Sequence, residues 1–181
     1  MADSSGVASA IAAAIEQQKS YVTSKLQEVG PFTFENVLAY WKPAPDGNSY
    51  PLIMLQHIQE DFQWYSMPNN YMTIFQFDVY GMMRGADSEV LARAVEKFAA
   101  AIKDILLQRS MSLTLPDGSL LSFLDFNGKG YCPVQGIKYI EMLSNQGQLA
   151  RGFRMRFKCS VITQAPDIDA YANQKVYPIQ V

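Results

Sequence analysis

Over residues 151–161 the chain alternates between two kinds of side chain, and an extended strand with two unlike faces accommodates that pattern. Phe153, Met155, Phe157, Cys159 and Val161 fall on one face, and Arg154, Arg156, Lys158 and Ser160 on the other. The first face packs; the second meets water or a partner. A strand written this way needs neighbours in a sheet and a layer over its apolar side, so the rest of the chain is read for both.

Two stretches supply the layer. Ile11, Ile15, Val22, Leu26 and Val29 recur at three- and four-residue spacings and predict a helix over 5–29, closed by Gly30-Pro31, where glycine tolerates the left-handed turn and proline cannot continue the ladder. Leu91, Val95, Phe98, Ile102, Ile105 and Leu106 form a longer stripe and predict a helix over 88–108, with Asp87 or Ser88 as its cap and Glu89 in its first turn.

The strands are shorter signals. Residues 50–58 form an apolar run, and 71–80 place Tyr71, Thr73, Phe75, Phe77 and Val79 opposite Gln76 and Asp78. Glycines over 81–85 are expected to break that strand, and the polar stretch 59–70 is expected to be an excursion between strands. Residues 42–49 and 123–134 read as loops, and 32–41 as either strand or irregular chain. Residues 113–115 and 119–121 flank Pro116-Asp117-Gly118 as a hairpin, and 136–143 predict one more strand. The order predicts an α+β fold, a mainly antiparallel sheet with two principal helices packed on it. One domain is expected over 1–165, with a C-terminal extension over 166–181 that runs over the surface or docks on another chain.

Composition narrows the function classes. A net charge of −2 over 181 residues disfavours general attraction to nucleic acid. Cys132 and Cys159 have no CxxC companion, which leaves neither a zinc site nor a disulfide framework. Neither a secretory signal nor a membrane span is expected, since the start lacks a charged and apolar leader and no apolar run nears ~20 residues.

Candidate sites follow from residue type. His57 is the single histidine, with Glu60 and Asp61 close behind, and one histidine without other ligands or a nucleophile reads as structural background. Gly128-Lys129-Gly130 lacks Walker spacing and reads as a loop tip. Trp41, Trp64, Tyr65, Tyr131 and Tyr139 read as core or interface aromatics more readily than as stacking platforms. No catalytic residue, cofactor or metal ligand is expected. Arg154, Arg156 and Lys158 repel one another unless solvated or paired, and Asp78 and Glu141 are their candidate partners. These five residues are the candidates for a subunit interface, in which partner carboxylates meet the guanidinium forks; nucleic-acid phosphate is the other ligand those forks suit.

The layout as a whole, with Gly30-Pro31 after the first helix, Tyr50-Pro51 opening a strand, the acidic step Glu60-Asp61, Val79-Tyr80-Gly81, a long amphipathic helix, a hairpin and a final strand over 152–163, resembles the tail terminator (tail completion) proteins of long-tailed bacteriophages. The resemblance covers about residues 11–163 and lies in layout, with the 59–70 stretch and the C-terminal tail longer than the pattern. It implies a structural virion protein, assembled in the host cytoplasm. Such a subunit forms a hexameric ring that caps the tail tube protein, meets the neck or connector protein and lets DNA pass without specific binding. A head–tail connector, a tube subunit or a small-molecule-binding domain are the alternatives.

Overall fold

The computed structural model describes residues 3–41, 50–66, 70–108, 112–114, 120–122, 133–143 and 149–164. The N-terminal stripe folds as two helices, α1 (Ser4–Gln17) and α2 (Lys19–Gln27), because Gln18 leaves the helical region at φ −101° and ψ 19°. Nothing in residues 16–19 breaks a helix by propensity, so the interruption at Gln18 answers to packing. Each half buries its own part of the stripe: Val7, Ile11 and Ile15 in α1, Val22 and Leu26 in α2. Asp3 caps α1 by accepting from the Gly6 amide at 2.7 Å.

Seven strands follow among the described residues: β1 (Asn36–Leu38), β2 (Leu52–Ser66), β3 (Asn70–Gly85), β4 (Ser112–Thr114), β5 (Leu120–Ser122), β6 (Val134–Leu143) and β7 (Leu149–Gln164). They form one sheet. Helix α3 (Ser88–Leu107) intervenes between β3 and β4, and Asp87 caps it through the amides of Glu89 and Val90 at 2.9 and 3.0 Å. The strand order is β1-β2-β3-β7-β5-β4, with β6 also on β7. Only the short β1–β2 pair is parallel, so the fold is α+β with a mainly antiparallel sheet, as the sequence predicts.

One edge of β7 is paired with β3 along its whole length. Its other edge is shared end to end, by β6 against residues 149–157 and by β5 against residues 160–162. The helices cover one face of this sheet. Phe98 on α3 sits between Phe34 and Phe153, edge-on to each with ring centroids 5.4 Å apart, and all three are fully buried. Phe75, Phe77, Val79, Met155, Phe157 and Val161 complete the apolar layer, each such burial worth ~1.5–3 kcal/mol. Where β3 and β7 pass closest, glycine is required twice. A Cβ on Gly81 would lie 2.1 Å from the Phe153 ring, and one on Gly152 would lie 2.3 Å from the Gly81 carbonyl oxygen.

Three expectations need correction. Residues 59–66 are not an excursion: they continue β2, antiparallel to β3, after a bulge between His57 and Gln59 that leaves Ile58 unpaired. The extra residue inverts the parity of everything after it, which is why the alternation looked lost. Residues 81–85 do not break β3, because Gly81 takes part in the ladder opposite Phe153 and gives its ring room. The single N-terminal helix is two. The 113–115 and 119–121 hairpin pairs as expected, in the register Leu113↔Leu121, while its turn, the 123–132 loop, the 42–49 loop and the C-terminal extension lie outside the described residues.

Candidate functional site

The face of the sheet turned away from the helices carries the basic stripe, and the register decides what each cation meets. Arg154 stands between Tyr80 on β3 and Lys138 on β6, and Arg156 between Asp78 and Gly136. Lys158 faces Gln76, while its backbone amide donates to the Pro133 carbonyl at 2.9 Å.

Asp78 is the centre of this group. It is 2% exposed, and burying a carboxylate is costly unless it is paired and hydrogen-bonded. Both conditions are met from β7. Arg156 donates from Nε to Asp78 Oδ1 at 3.1 Å and from Nη2 to Oδ2 at 3.5 Å, and Arg154 Nε lies 3.8 Å from Oδ2. The hydrogen bond to Asp78 raises the Arg156 guanidinium above its usual range, so Arg156 remains a fixed cation. Tyr80 extends the polar network by donating its hydroxyl to Gln56 Oε1 at 3.1 Å, and its ring lies 6.5 Å from that of Trp41.

Beside the pair the surface forms a groove of about 260 Å³, lined by Gln135, Gly136, Ile137, Lys138, Arg154 and Arg156. A bulge between Val134 and Gly136 makes it, and above Gly136 a Cβ would meet nothing within 4 Å. Lys138 and the groove were missed by sequence reasoning. The alternation of Gly136, Lys138 and Ile140 was the available signal, but it says which residues share a face and not which strand they lie against.

The five expected residues therefore part company. Asp78, Arg154 and Arg156 come together within one chain, and Lys158 shares their face. Glu141 does not: it pairs across to Arg151, stands on the helix-covered side and holds Arg151 Nη2 at 2.9 Å. Arg151 Nη1 in turn donates to the Ser88 carbonyl at 3.2 Å, joining β7 to the first turn of α3.

The other candidates have local explanations. His57 lies over Phe75 and Phe77 with ring centroids at 6.1 and 5.4 Å, and its Nε2 is 3.5 Å from Glu60. That pair shares a face at three-residue spacing because the Ile58 bulge lies between them. Burial pushes the Cys159 thiol far above the range in which it ionises, which removes it as a nucleophile. Tyr139 is 58% exposed, on the helix side of the sheet. Among the described residues no three His, Cys, Asp or Glu gather as metal ligands, and no helix is long and apolar enough to cross a membrane. Gly128-Lys129-Gly130, Tyr131 and Cys132, and the side chains of Trp64 and Tyr65, lie outside the description. The chain matches no protein-family model and no curated protein.

Proposed function

We propose that this chain is a structural protein of a phage virion, a tail-terminator-like subunit that assembles into a ring, hexameric in the resembling family. The ring caps the tail tube and joins it to the neck. The observation that carries the reading is the division of the sheet: one face is packed against the helices over its central strands, and the other presents a fixed cation cluster at the surface around an internal carboxylate. That arrangement suits contact with another protein. Ring closure needs two unlike patches on each subunit, and a basic sheet face on a chain of net charge −2 provides one patch that the acidic remainder can complement. Each added copy also makes the ring more acidic, which favours passage of DNA over a grip on it.

Sedimentation velocity and negative-stain imaging of the full chain, alone and with purified tail tubes, test the reading. Rings with an open centre, seated at tube ends, are the expected result. A chain that stays monomeric at high concentration and leaves tube ends bare overturns it. Rings stacked along the tube instead of at its end favour the tube-subunit alternative, and rings that bind only portal-bearing heads favour the connector. For the contact itself, Lys158→Glu is the informative variant, because Arg156 cannot be changed without stranding Asp78. Loss of rings from a folded Lys158→Glu chain is expected, and unchanged rings remove the basic face from the interface.

A further inference from the structure

The groove beside Asp78 holds a juxtaposition that the fold itself does not need. Lys138 is the direct cross-strand neighbour of Arg154, and like charges placed opposite each other destabilise a sheet. Asp78 answers part of the charge. Its two oxygens engage the Nε edges of both arginines, and Arg156 Nη2 as well, from the β3 side, while Lys138 approaches from the β6 side with no carboxylate bonded to it among the described residues. Three cations thus line a concave site, and the one buried anion, Asp78, lies beside it behind the two arginines. The site has room, since the bulge at Gln135 displaces the strand and Gly136 leaves its floor open.

The strand beside the groove adds a second observation. β6 runs for ten residues and pairs with β7 along one edge, and among the described residues no strand pairs with its other edge. A free edge offers alternating backbone N–H and C=O groups, which another polypeptide matches and a nucleic acid does not. We infer that the groove is a docking site for an acidic, extended segment of a protein partner, added along the β6 edge. Its alternate Asp or Glu side chains enter the groove to meet Lys138 and the outer nitrogens of Arg154 and Arg156. Strand addition puts every second side chain of the incoming segment on the groove face, and a guanidinium fork matches a carboxylate in two parallel hydrogen bonds. The volume of about 260 Å³ takes side chains and excludes a duplex. This inference deepens the ring reading, on which it rests for the presence of a protein partner. Binding is measured on the isolated chain, so the two can fail separately.

The test titrates the full chain with a fluorescent peptide that alternates Glu with Thr and Val, beside the same peptide with Gln for Glu. The Glu peptide is expected to bind at least about tenfold more tightly, with the difference shrinking as salt shortens the range of the charges. Lys138→Glu is expected to remove about tenfold or more of that affinity while the far-ultraviolet spectrum stays unchanged, since Lys138 is exposed at the edge. A peptide with Lys for Glu should then bind Lys138→Glu better than the parent. Equal affinity for the Glu and Gln peptides, or no binding to either, overturns the proposal. So does a short DNA duplex that competes at lower concentration than the peptide, which transfers the groove to nucleic acid. Should Lys138→Glu unfold, Lys138→Gln gives the same reading with a smaller loss.

Discussion

The two faces of β7 are built from neighbouring residues and obey different physics. On the helix side, Phe153, Met155, Phe157, Cys159 and Val161 are buried against side chains that ask nothing of them but shape. On the open side, Arg154, Arg156 and Lys158 are half-buried, and both arginines are held by one carboxylate, Asp78, beneath them. The apolar face is redundant, since its stabilisation is spread over many contacts of similar kind. The polar face is not. Each of its cations has one or two possible partners, which makes it a poor source of stability and a good place for recognition.

The sharpest way to break this contrast is on the apolar side. Phe98→Ala should cost ~3–5 kcal/mol, because it empties the space between Phe34 and Phe153 and nothing nearby can collapse into it without leaving another contact. Urea unfolding measures it, and a loss under ~1 kcal/mol would mean the layer is not packed as described.

A second strike falls where the two faces meet in the backbone. Gly152→Ala pushes a methyl against the Gly81 carbonyl, an atom of the neighbouring strand that cannot rotate away, and a cost of ~1–3 kcal/mol or more is expected. Gly81→Ala meets the Phe153 ring instead, which has more freedom to shift, so it should be the milder of the two in the same unfolding experiment. The opposite order would contradict the strand spacing.

On the open face the expected effect is conditional. Arg156→Met leaves the buried Asp78 carboxylate with Arg154 at 3.8 Å as its remaining cation among the described residues, and an under-satisfied buried acceptor costs ~1–3 kcal/mol. Adding Asp78→Asn should restore part of that loss, because the charge that needed a partner is gone. A double-mutant cycle with no coupling would show that the two side chains do not depend on each other.

The smallest effect lies away from the sheet. Glu28, at the end of α2, is held by Lys25 at 2.8 Å and by Lys97 of α3 at 2.6 Å, and these hydrogen bonds lower its carboxyl from 4.5 to about 2. A depressed folded-state value means the contribution is complete above pH 4.5 and is lost as pH falls toward about 2. Glu28→Gln should therefore lower stability slightly at neutral pH, converge with the parent as pH falls toward about 2, and so flatten the acid limb in that window. The groups are exposed, so the difference should fade in high salt. An acid limb identical to the parent's would mean that the Glu28 contacts contribute nothing to joining the helix pair.

Much of the fold was legible because it depends on local periodicity. The stripe from Leu91 to Leu106 and the cap at Asp87 were readable from spacing and chemistry, and so were the two alphabets of β7. The α+β class followed from their order. What escaped was any feature set by one strand lying against another. A single unpaired residue, Ile58, turned a fifteen-residue strand into an apparent strand and loop, because one extra residue inverts the side-chain alternation. Glycines 81 and 85 looked like punctuation because a sequence does not show the Phe153 ring that Gly81 must accommodate.

The candidate site divides in the same way. The sequence by itself determined that Arg154, Arg156 and Lys158 share a face and that Gln76 and Asp78 share one with each other, since alternation along a strand is a property of its own backbone. Only the tertiary structure decided that Asp78 lies opposite Arg156, that Glu141 belongs to Arg151 on the other side, and that Lys138 faces Arg154 across a groove. Register is fixed by the packing of the whole sheet under its helices, and no single strand carries it.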